Sequence, residues 1–137
     1  CTFKRMYTEL QREDLYIIMI PIAQTKFGPS GNCFSACVAS ILECQINDVP
    51  DYRDGRRKWF SDWCKWGNSR GLVFDVYDQA VAPLGFSIGE VPSPTMKNSY
   101  HSVVCLDGKV VWDPLPPHNR KYSKLDDSLI FIVPSST

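Results

Sequence analysis

Apolar and polar positions alternate in two distinct rhythms along this chain, helical first and strand-like later. From Asn32 onward, Phe34, Cys37, Val38, Ile41 and Leu42 recur at helical spacing, with Ser35, Ser40 and Glu43 between them. Asn32 suits an N-cap, and the helix is expected to run to about Cys44, with Pro50 closing the loop that follows. Residues 51–56 are charged and turn-like. A second helix is expected over 58–66, where Trp59, Phe60, Trp63 and Trp66 form an aromatic stripe that reads as core-facing, with Gly67 and Gly71 ending it. Strand patterns then follow at 72–77, 85–91, 99–104, 109–112 and 129–133, although 76–84 also reads as a short helix. Ahead of all this, residues 7–14 read as a helical turn or loose chain. Residues 15–22, apolar and β-branched, read as a strand closed by Pro21 and Gln24, and Gly28, Pro29, Ser30 and Gly31 mark a loop. Helices early and strands late predict an α+β domain built on an antiparallel sheet.

At 137 residues the chain suits one domain. Residues 19–137 are read as that domain and 1–18 as an N-terminal extension or a strand or helix appendage, with a natural start at Met19 left open. Fifteen basic residues balance fifteen acidic ones, which argues against a nucleic-acid partner. The longest apolar run, residues 15–23, falls well short of the ~20 residues a bilayer span needs, and it lacks a cleavage site for secretion. The cysteines are Cys1, Cys33, Cys37, Cys44, Cys64 and Cys105. Their spacing resists disulfide pairing and, without a secretion signal, favours free thiols in a reducing compartment, the cytoplasm. With no CxxC pair and two histidines, neither a metal nor an organic cofactor is expected.

Cys33 follows Gly31-Asn32 and opens the apolar helix, where the dipole and unpaired N–H groups favour a thiolate and can stabilise an oxyanion. His101 begins one strand and Asp113 closes the next, so their register decides whether they meet. A two-residue turn at Asp107-Gly108 puts them on opposite faces. A three-residue loop, Leu106-Asp107-Gly108, puts them directly opposite each other, and that register is the one expected. Cys33 as nucleophile, His101 as base and Asp113 as orienter then form a catalytic set. His118, in the proline-rich loop after Asp113, is expected to be exposed.

The run Gly31-Asn32-Cys33-Phe34-Ser35-Ala36-Cys37, followed by His101-Ser102-Val103-Val104 and Trp112-Asp113-Pro114, resembles the papain-like cysteine peptidase superfamily. Within it, the likeness is to small bacteriophage-encoded proteins related to bacteriocin-processing peptidases. The resemblance spans roughly residues 19–116. It implies a nucleophile helix packed on a twisted antiparallel sheet and hydrolysis of a peptide, isopeptide or amide bond in a peptide or protein substrate, in the host cytoplasm if the chain is viral. It also implies a glutamine donor to the oxyanion. Gln24 is the match, although it stands further ahead of Cys33 than papain-type enzymes place it. The cleft is expected to be rimmed by Gln24, Asn32 and Trp112. Ovarian-tumour-type deubiquitinases share a Gly-Asn-Cys helix start, and transglutaminase-like acyl transferases share the order Cys, His, Asp-Pro. A papain-like module that binds or inhibits without turnover is the non-catalytic alternative.

Overall fold

The computed structural model describes residues 19–53 and 56–135. Helix α1 (Cys33–Leu42) and helix α2 (Trp59–Asn68) come first. Five strands follow, β1 (Leu72–Asp78), β2 (Phe86–Pro92), β3 (Tyr100–Leu106), β4 (Lys109–Trp112) and β5 (Ser128–Pro134). They form one sheet in the order β1-β5-β2-β3-β4, with antiparallel pairing throughout. The α+β expectation therefore holds. Strand β5 sits inside the sheet, between β1 and β2, so the sheet closes only when residues 128–134 are in place.

Helix α1 is buried along its whole length after Cys33, as a helix apolar on every side must be. It lies against β3 and β2, and its end differs from expectation. Glu43 takes a left-handed conformation (φ 57°) and stops the helix before Cys44. Asn32 holds the N-cap position, but its side chain makes no cap bond; it is committed to the preceding loop. Helix α2 turns its aromatic stripe inward as expected. Trp63 is fully buried among the rings of Phe34, Tyr52, Trp66 and Phe74, at centroid distances of 5.1–5.8 Å. Gly67 lies inside this helix rather than after it. A Cβ there would stand 2.9 Å from the Phe74 ring, so glycine lets the helix approach β1.

The sheet separates two apolar clusters. Phe34, Val38, Leu42, Trp63, Ile88 and Val104 belong to the larger one, on the helix side. Val91, Val103, Cys105, Leu129 and Phe131 form the other, with Tyr122 and Leu125 of the long β4–β5 connection packed over them. Residues 19–22 are not a strand; Ile20 and Ile22 donate backbone N–H bonds to Ser40 of α1, to its carbonyl (3.1 Å) and its Oγ (3.0 Å). The rest of the expected 15–22 strand, and the turn at 7–14, lie outside the described residues. Between β1 and β2 the chain makes only a short 3-10 turn at Gln79–Val81.

The β3–β4 hairpin corrects the expected register. The turn is the two-residue one, with Asp107 (φ 52°) and Gly108 (φ 80°) both left-handed and Leu106 opposite Lys109. Cys105 then faces Val110, but Val104 faces Trp112, so Val111 is an extra residue in a bulge. One extra residue reverses the faces of everything beyond it. The bulge returns Asp113 to the face that carries His101, the outcome for which the sequence reading had invoked a longer loop.

Among the described residues, no helix is long and apolar enough to cross a membrane.

Candidate active site

Cys33 gains its position from the loop before it. Asn32 Oδ1 accepts hydrogen bonds from the backbone N–H groups of Thr25 (3.0 Å) and Lys26 (2.9 Å), and Asn32 Nδ2 donates to Thr25 Oγ1 (2.9 Å). The loop folds back on itself through the Gly31 N–H bond to the Gly28 carbonyl (2.9 Å). Cys33 therefore begins α1 from a braced loop and remains partly exposed. The Ser102 N–H of β3 donates to its sulfur at 3.5 Å.

His101 stands beside Ser102 at the start of β3 and is buried. Its Nε2 meets Asp113 Oδ1 at 2.7 Å, which leaves Nδ1 for the sulfur. Burial opposes a charged ring. Hydrogen bonds to Asp113 and to Cys33, with the negative charge of both, outweigh burial and lift His101 from 6.5 to about 9. Asp113 is buried too, which alone would raise its carboxyl. Hydrogen bonds from His101, Tyr122 and the Leu115 N–H hold it below the ordinary value instead. Tyr122 Oη donates to Oδ2 at 2.5 Å and Leu115 N–H to Oδ1 at 2.9 Å. Both carboxylate oxygens are thus occupied, and the group cannot rotate away from the imidazole.

A cleft of about 540 Å³ opens in front of Cys33 and His101. Gln24 and Asn32 line it, as expected. Gln24 Nε2 spends one hydrogen on the Lys26 carbonyl (2.9 Å), while its buried Oε1 has no partner. Trp112, expected on the rim, is absent from the lining. Its Nε1 donates to the Ile22 carbonyl (3.0 Å), its ring stacks on His118 at 4.6 Å, and it packs against the helix-side core. Trp112 acts instead as a bracket, and the Gln24 N–H bond to the Pro114 carbonyl (3.0 Å) is a second tie between the same segments. His118 is half-buried rather than exposed, and its Nδ1 lies 2.7 Å from the Asp113 carbonyl.

Tyr122 is the site residue that the sequence reading missed. It lies in an irregular stretch with no periodicity, and only the covering of the second cluster brings it to Asp113. Burial pushes the thiol of Cys37 well up, Cys44 to about 11, Cys105 to about 12 and Cys64 upward. Among the described residues, no group of three His, Cys, Asp or Glu side chains could hold a metal ion.

Comparison of the chain with protein-family models, curated proteins and solved structures finds no match.

Proposed function

We propose that this chain is a papain-like thiol hydrolase acting on a peptide, isopeptide or amide bond. One observation carries the reading: an unbroken chain of contacts from the Cys33 sulfur through His101 to Asp113, set in an open cleft.

The steps follow from the geometry. His101 holds the proton and Cys33 attacks as thiolate, forming a bond from sulfur to the substrate carbonyl carbon. The carbonyl electrons move onto oxygen. First-turn N–H groups of α1 and the second amide hydrogen of Gln24 are the donors for that charge. When the tetrahedral species collapses, the carbon–nitrogen bond breaks and His101 Nδ1 gives its proton to the leaving amine. Water then attacks the thioester as His101, now neutral, takes a proton from the water. The carbon–sulfur bond breaks and the acid leaves. Asp113 stays ionised and keeps the ring oriented.

Alkylation by iodoacetamide at neutral pH, followed by mapping of each thiol, tests this. Cys33 should react at least about tenfold faster than Cys64, and His101→Ala should erase the advantage. Equal rates across the accessible thiols would reject the hydrolase reading.

A further inference from the structure

The charge around the cleft is not that of the whole chain. Its lining comes from residues within 24–34, from Tyr52 and Arg53, from residues within 93–101 and from Leu115. Among the described residues that line the cleft, none is aspartate or glutamate, and one is arginine, Arg53.

Arg53 is poorly compensated where it stands. Its Nη2 lies 3.4 Å from Asp51 Oδ2, but Lys26 Nζ holds that same oxygen at 2.5 Å. One carboxylate is therefore shared by two cations, and the closer is lysine. Arg53 Nε is buried with no hydrogen-bond partner, an N–H that an incoming acceptor can satisfy. Arg56 is engaged elsewhere, on Asp62 at 2.7 Å and over the Tyr52 ring. A guanidinium with an unpartnered N–H in the cleft that Cys33 also lines matches a carboxylate better than any neutral group.

We propose that the cleft selects acyl substrates with a carboxylate near the scissile bond, an acidic peptide segment, and that Arg53 reads that carboxylate. The proposal rests on the hydrolase reading above and names its substrate class.

Peptidyl chloromethyl ketones test it, because the Cys33 sulfur displaces chloride and forms a stable thioether with the methylene carbon. Sets carrying Glu, Gln or Lys at each position ahead of the reacting carbonyl are compared by their rates of labelling at Cys33. The Glu probe should lead the Gln probe by about tenfold at one position, with Lys slowest. The lead should shrink toward unity in Arg53→Gln, with every rate divided by the same protein's rate with neutral iodoacetamide. It should also shrink in the parent at about 1 M salt, where screening acts over ~3 Å, so the result does not depend on the variant alone. Equal rates for Glu, Gln and Lys, with Cys33 still fast toward iodoacetamide, would overturn this inference and leave the hydrolase intact. A lead that survives in Arg53→Gln would overturn the role of Arg53. Slow labelling of Cys33 by iodoacetamide as well would remove both readings.

Discussion

His101 is where the electrostatics of the site become measurable. An imidazolium that persists to about pH 9 is the acid needed when the amine leaves. Hydrolysis should therefore hold through neutral pH and fall as pH rises through about 9. Asp113→Asn removes the anion and leaves a poorer acceptor, so that alkaline limb should move down by at least a unit, with kcat lower by about 10²–10⁴-fold. A pH–rate profile on both proteins, with NMR titration of the ring, checks this; an unmoved limb would disconnect Asp113 from His101. Stability follows the same linkage. His101 is raised in the folded state, so its contribution is complete below its ordinary 6.5 and is lost as pH climbs through about 9. Asp113 is lowered, so its contribution is present above the ordinary carboxylate range and is lost on acidification. Tyr122→Phe removes one bond to a buried charge. It should cost about 1.5–3 kcal/mol in denaturant unfolding at neutral pH.

Among the elements, those with strong local periodicity were the legible ones. The amphipathic stripe of α2 and the apolar run of α1 announce themselves within a few residues, and so do the alternating strands. What stayed hidden was decided by contacts distant in sequence. The bulge at Val111 leaves no trace in the hydrophobic pattern, because Val110, Val111 and Trp112 fit either face. The contact of His101 with Asp113 was thus expected through the wrong loop and the wrong register. Tyr122 and the bracket made by Trp112 were invisible for the same reason: both depend on segments that meet only in the folded chain. Gly89 shows how tightly such segments fit. It faces Val103 and Leu129 across neighbouring strands, and a Cβ there would stand 2.6 Å from Leu125 Cδ1 and 2.9 Å from Cys105 Sγ. Cys105 is fixed within β3, so Leu125 must yield, and with it the connection that carries Tyr122 to Asp113. Gly89→Ala should cost about 1–3 kcal/mol and weaken the Tyr122 bond as well. Calorimetry measures the first and a raised Asp113 titration the second; a fully stable variant with an unchanged titration would contradict this packing.

Taken whole, the molecule draws its nucleophile from α1 and its base and orienter from a hairpin far along the chain, with the last strand inserted between the earlier ones. No fragment holds the site, so its geometry depends on the cooperative core between helices and sheet. Trp63 is the hub of that core. It is fully buried, its Nε1 donates to the Tyr52 carbonyl (3.0 Å) next to Arg53, and its ring meets Phe34, the residue after the nucleophile. Trp63→Ala empties a large volume that α1 and β1 cannot both close, at a cost of about 3–5 kcal/mol. Against a total stability of about 5–15 kcal/mol, that is a large share, and a fall in Tm of at least about 10 °C is expected. Trp63→Phe keeps most of the volume but leaves the Tyr52 carbonyl without its donor, so it should lose less. Neither change touches the contact between His101 and Asp113. Below the transition, the folded fraction of each variant should still titrate His101 near 9. Thermal melts paired with ring titration separate the two quantities. If stability and the His101 titration fell together in Trp63→Phe, the helix-side core would be shaping the catalytic hairpin itself, and the division between scaffold and site drawn from these contacts would be wrong.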